Sequence, residues 1–151
     1  MIAREAYSYR SDPAVPRFPD DRPIIVFDGY CALCSGWAKF VLRHDPQGTY
    51  RLLRAQSPLG RALYFHYGLD PDDYETNILI ADGRAWFKSE GSIRMAEGLG
   101  LPWSLAGIFR ILPRVVRDRA YAFIARNRLR FFGKRDTCYV PDNRYHDRLL
   151  G

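Results

Sequence analysis

The chain has 151 residues, 47% hydrophobic and 15% aromatic, with a net charge of +6. That length and composition suit one folded domain with a core of its own, and three cysteines, an odd number, argue against a disulfide framework. No apolar run approaches the roughly 20 residues of a membrane span, and the amino terminus lacks the basic-then-apolar pattern of a secretion signal, so a cytoplasmic location is expected.

Residues 1–22 contain Pro13, Pro16 and Pro19, scattered charges and no periodicity, and read as an extended or disordered arm ahead of a single domain at 23–151. Ile24-Ile25-Val26-Phe27 is a β-branched and aromatic run, the signature of a buried strand. Asp28-Gly29 breaks it, and the period then changes. Leu33, Trp37, Phe40 and Val41 fall at i, i+4, i+7 and i+8, one stripe of a helix. Asp45 to Gly48 turns the chain, and Tyr50 to Ala55 reads as a second strand. Ser57-Pro58 is an N-cap followed by proline at the first helical position, and Gly68 stops that helix. After an acidic loop, Asn77 to Ala81 is a strand, Asp82-Gly83 a hairpin turn and Arg84 to Lys88 the return strand. A short helix from about Ser89 to Glu97 closes at Gly98. Leu105, Ile108, Phe109 and Leu112 make a further helical stripe. Pro113 opens a last helix with Val116, Ala120, Phe123 and Ile124 as its apolar face.

The spacing Cys31-x-x-Cys34 falls where the first strand hands over to the first helix. The opening turn of a helix presents unpaired N–H groups and the positive end of the macrodipole, so a thiolate there is stabilised and a better nucleophile at neutral pH. Cys34, one turn further in, shares a face with Cys31. An attacking Cys31 nearer the surface, with Cys34 shielded behind Trp37 as the resolving thiol, is the layout expected of a dithiol redox site.

Phe27-Asp28-Gly29-x-Cys31-x-x-Cys34 resembles the signature of the DCC family of thiol-disulfide oxidoreductases, named for its Asp-Cys-Cys motif. The resemblance runs over about residues 23–141. It takes in the stretch around Ile78–Phe87, the Lys88-Ser89-Glu90 helix opening and the Phe132-Gly133-Lys134-Arg135-Asp136-Thr137-Cys138 tail. It implies an α/β, thioredoxin-like mixed sheet flanked by helices, here with extra C-terminal helices. It also implies a redox activity but supplies no substrate; the expected partner is a protein or small-molecule thiol or disulfide, and no cofactor is expected. Thioredoxins carry a cis-proline just before the strand facing the cysteines. The matching position here is Glu75-Thr76 before Asn77, without proline, which leaves Thr76 as the candidate for that substrate contact.

Each candidate has a plainer reading. Asp28 is either a turn-closing carboxylate or the proton acceptor for Cys34. Tyr30 and Trp37 either pack beside the pair or line a substrate groove. Cys138 is either a third redox thiol or a small buried residue. His44 and His66 read as packing or surface residues. A non-enzymatic zinc-stabilised domain would need Cys138 and His146 to join the pair; helix-opening placement favours redox chemistry over a metal site. The interval Arg110–Arg135 holds nine basic residues and one acid, a segment charge of +8 that leaves −2 for the rest. It reads as a solvated face beside core stripes, or as a basic surface for an anionic membrane or protein partner. Nucleic acid is not expected, because no recognisable binding module accompanies the charge.

Overall fold

The structure, a computed structural model, describes residues 5–45, 48–69, 77–100, 103–127, 130–131 and 148–150. Four strands form one mixed sheet: β1 (Ile24–Phe27), β2 (Arg51–Arg54), β3 (Ile78–Ala81) and β4 (Arg84–Phe87), in the order β2-β1-β3-β4. β2 runs parallel to β1, while β3 is antiparallel to both β1 and β4. Four α-helices follow the strands: α1 (Ala32–Arg43), α2 (Pro58–His66), α3 (Lys88–Glu97) and α4 (Arg114–Arg126). Two 3-10 segments, Ser8–Ser11 and Trp103–Ile111, complete the described elements. The β-α-β-α-β-β-α core in this strand order is a thioredoxin-like fold, and the 3-10 segment at 103–111 with α4 forms its C-terminal extension.

The alternation of β1 divides the core into two layers. Ile24 and Val26 point to the side of Leu63, Tyr64 and Tyr67, while Ile25 and Phe27 point to Ala38, Val41 and Leu42 of α1 and Met95 of α3. All four β1 residues are buried, as a central strand covered on both faces requires. The chain's turn chemistry holds the frame. Ser57 accepts the Gly60 N–H at its Oγ and Pro58 opens α2, while Asp82 and Gly83 both take positive φ (52° and 76°), the combination of a type I′ hairpin. Leu149 bridges Leu52, so the outer edge of β2 is partly covered.

The segment expected to be an extended or disordered arm is, over residues 5–22, anchored to the core by a few side chains. Tyr9 and Val15 are buried against the α2 side of the sheet, with Tyr7 and Phe18 packed beside them. His66, buried in α2, bonds Asp12 through Nδ1 and Ser8 through Nε2, each at 2.7 Å, which ties this segment to the helix. Apart from the single 3-10 turn at Ser8–Ser11 its conformation is irregular, so its apolar residues carry no period that a sequence could display.

α4 is seated on α3 by polar contacts. Arg117 reaches Glu90, Ser89 donates to Asp118 at 2.6 Å, and Tyr121 donates to Asn77 at 2.8 Å. Arg110 bridges Glu90 and Glu97 from the 3-10 segment. Burial would raise the Glu90 pKa, but the hydrogen bonds and charges of Arg117, Arg110 and Arg94 outweigh it and hold the carboxyl below its ordinary value. A carboxylate depressed on folding stabilises the fold above its unfolded pKa, and that stability is lost as pH falls through the folded value. Glu90→Gln is therefore expected to cost about 1–2 kcal/mol near neutral pH and less in acid. Chemical denaturation of both proteins across the acid range checks this; a pH-independent difference would contradict it.

Candidate active site

The sheet order fixes where the cysteines lie. β1 and β2 are parallel neighbours, and their C-terminal ends hand over to the two loops that open α1 and α2. Cys31 is the N-cap of α1, with extended backbone (φ −84°, ψ 125°), and its Sγ accepts the Cys34 N–H at 3.4 Å. A cap ordinarily comes from an oxygen side chain; here sulfur holds the position, so any charge on it meets the helix N–H groups directly.

The turn that presents Cys31 is clamped from both sides. Asp28 Oδ1 accepts the Tyr30 N–H at 3.0 Å, closing an Asx turn, and the Cys31 N–H donates to the Asp28 carbonyl. Gln56, just past β2, donates through Nε2 to Asp28 Oδ1 and accepts the Gly29 N–H at Oε1. Ser35, buried in α1, donates to the Gly29 carbonyl at 3.1 Å. Asp28 itself is buried, and all these bonds converge on four residues, 28 to 31. Gln56 and Ser35 were not singled out from the sequence. The register pairs Phe27 with Arg54, so counting two residues along each strand brings Gly29 beside Gln56; that adjacency follows only once the pairing is known.

Cys34 and Trp37 pack against the cluster formed by Phe27, Met95 and their neighbours. Trp37 donates from Nε1 to Met95 Sδ at 3.2 Å and stacks on Phe40 at 5.3 Å. Tyr30 is half-buried at the mouth of the turn. His44 packs on Phe40 and Trp103 and bonds the Phe40 carbonyl, a packing role as expected, whereas His66 lies on the opposite side of the sheet. Thr76, Cys138 and His146 lie outside the described residues. Among the described residues there is no group of three or more His, Cys, Asp and Glu side chains placed to hold a metal ion.

In one respect the site reverses the expectation. Cys31 has 0% of its surface exposed, and Cys34 is the half-buried member of the pair. A side chain that caps its own helix folds back over the first turn instead of projecting outward, which draws the Cys31 sulfur in.

Two cysteines thus lie close together at the helix start beside the central strand of a thioredoxin-like sheet. Comparison with known proteins gives the family. Residues 25–134 match the DCC1-like thiol-disulfide oxidoreductases, and the chain belongs to that family. It is 36% identical over 127 residues to the uncharacterized protein YuxK of Bacillus subtilis (strain 168), covering 84% of this chain and 93% of that one. It is 38% identical over 120 residues to a chloroplastic DCC family protein of Arabidopsis thaliana, covering 79% of this chain and 70% of that protein. No solved structure matches the chain at a significant level.

Proposed function

We propose that the protein is a cytoplasmic thiol-disulfide oxidoreductase in which Cys31 is the nucleophile and Cys34 the resolving thiol. The observation that carries this reading is the Cys31 Sγ held over the first turn of α1 and accepting the Cys34 N–H. The thiolate is the reacting form, and a helix start favours it. In the forward step Cys31 attacks one sulfur of a substrate disulfide; a Cys31–substrate disulfide forms and the second substrate sulfur leaves as a thiolate that takes up a proton. Cys34 then gives up its proton and attacks Cys31. The Cys31–Cys34 disulfide forms and the first substrate sulfur leaves, so the substrate has gained two electrons and the protein has lost them. A small-molecule or protein dithiol restores the reduced pair by the reverse sequence.

In this reading Asp28 keeps two tasks in one side chain: Oδ1 holds the turn, and the carboxylate receives the Cys34 proton during resolution. Tyr30 and Trp37 line the approach, with Thr76 as the substrate-backbone contact in place of a cis-proline. Cys138 is a possible third thiol of the same chemistry. The test is equilibration in glutathione buffers of graded ratio, with thiol state followed by alkylation and mass spectrometry. A reversible two-electron Cys31–Cys34 couple within the range of dithiol proteins, about −270 to −120 mV, is expected. Independent one-at-a-time oxidation of the two thiols would reject the reading.

A further inference from the structure

The C-terminal extension is amphipathic in the unusual direction. α4 turns Arg117, Asp118 and Tyr121 toward the domain, where each bonds a partner in α3 or before β3. Its apolar residues face outward. Val115, Phe123 and Ile124 of α4 and Leu105, Ile108 and Phe109 of the 3-10 segment are each between 45% and 65% exposed. A helix normally buries its apolar stripe and solvates its polar one; here the described residues leave the apolar stripe outward, and the two segments adjoin along α3. The stripe expected from the sequence to join the core therefore does not.

The charge on this face is of one sign. Arg119, Arg126 and Arg130 are exposed and make no ion pair with another described residue, while the one acid of α4, Asp118, is turned inward and bonded to Ser89 and Arg114. We infer that this face docks on an anionic phospholipid surface. Such a surface supplies negative headgroups and an apolar medium together, which is the environment that outward phenylalanines interleaved with arginines match. A second copy of the chain fits less well. A twofold interface would set this arginine-bearing face against an identical one, like charges without acids to offset them. No helix among the described residues is long and apolar enough to cross a membrane, so the contact is one of lying on the surface.

The test uses the full chain and vesicles of phosphatidylcholine alone or with one quarter phosphatidylglycerol, read by co-sedimentation. Binding to the anionic vesicles is expected, with little to the neutral ones, and with a steep loss between about 0.05 M and 0.5 M salt. Replacing Arg119, Arg126 and Arg130 together by Ala should weaken it on the order of 100-fold, at about fivefold per arginine. Phe109→Ser with Phe123→Ser should weaken it further with only a small loss of thermal stability, because both side chains are more than half exposed. Absence of binding, or equal binding to neutral vesicles, overturns the inference. So does a concentration-dependent dimer in light scattering that the two serine substitutions abolish, since the face would then belong to a second copy.

Discussion

Cys34→Ser is expected to accumulate as a mixed disulfide with its substrate, and Cys31→Ser is expected to accumulate nothing. The first variant keeps the sulfur that the helix start favours as thiolate and removes the one that would release it; the second removes the attacking sulfur. Turnover with a small disulfide should fall on the order of 100-fold or more in either variant, because neither can complete the two-step exchange. The measurement is non-reducing electrophoresis and mass spectrometry after incubation with a small organic disulfide and, separately, with an unfolded disulfide-bonded protein. Burial of Cys31 adds a second expectation. A sulfur with no exposed surface is reached first by a compact disulfide, so the small substrate should trap faster than the protein one. Trapping by Cys31→Ser instead would assign the attack to the half-exposed Cys34 and exchange the two roles. Trapping by neither would remove the redox assignment.

That expectation shows what the sequence could and could not convey. The strand at Ile24–Phe27, the break at Asp28-Gly29 and the change of period after it were legible because β-branched runs and helical stripes are one-dimensional patterns. The position of Cys31 at the helix start followed from that junction. The inward turn of its sulfur did not, because side-chain direction at a cap has no period. Gln56 stayed hidden for a related reason: its partner Asp28 is 28 residues away, and only the parallel pairing of β1 with β2 brings them together. The stripe of α4 was legible as a helix but not for its direction. Polar bonds from Arg117, Asp118 and Tyr121 to α3 and Asn77 decide which side faces in, and a hydrophobic pattern alone assigns the opposite side. The burial of Tyr9 and Val15 was the least legible, since irregular segments pack without repeating.

The same substitution at two glycines is expected to have opposite signs, and the larger effect bears on the site. Gly36 lies inside α1, exposed, and a Cβ there would meet nothing within 4 Å. Gly36→Ala should therefore stabilise the protein by about 0.5–1 kcal/mol, the usual gain of alanine over glycine in a helix. Gly60 lies in the first turn of α2, where propensity alone would give a similar gain. A Cβ there would stand 2.3 Å from the Arg54 carbonyl oxygen and 2.8 Å from that of Ala55. Those atoms are backbone at the end of β2, fixed by the Ala55 N–H to Phe27 carbonyl bond at 2.8 Å, and cannot swing aside as a flexible side chain would. Gly60→Ala should cost about 3 kcal/mol or more, in keeping with strain forced into a packed core. The displacement would also move Gln56 off Asp28 and Gly29, loosening the turn that presents Cys31. Urea unfolding of the two variants measures the stabilities, and the trapping rate of each in a Cys34→Ser background measures the turn. Equal, mild effects at both glycines would mean that α2 can slide from β2 at little cost and that the clamp does not depend on their close approach.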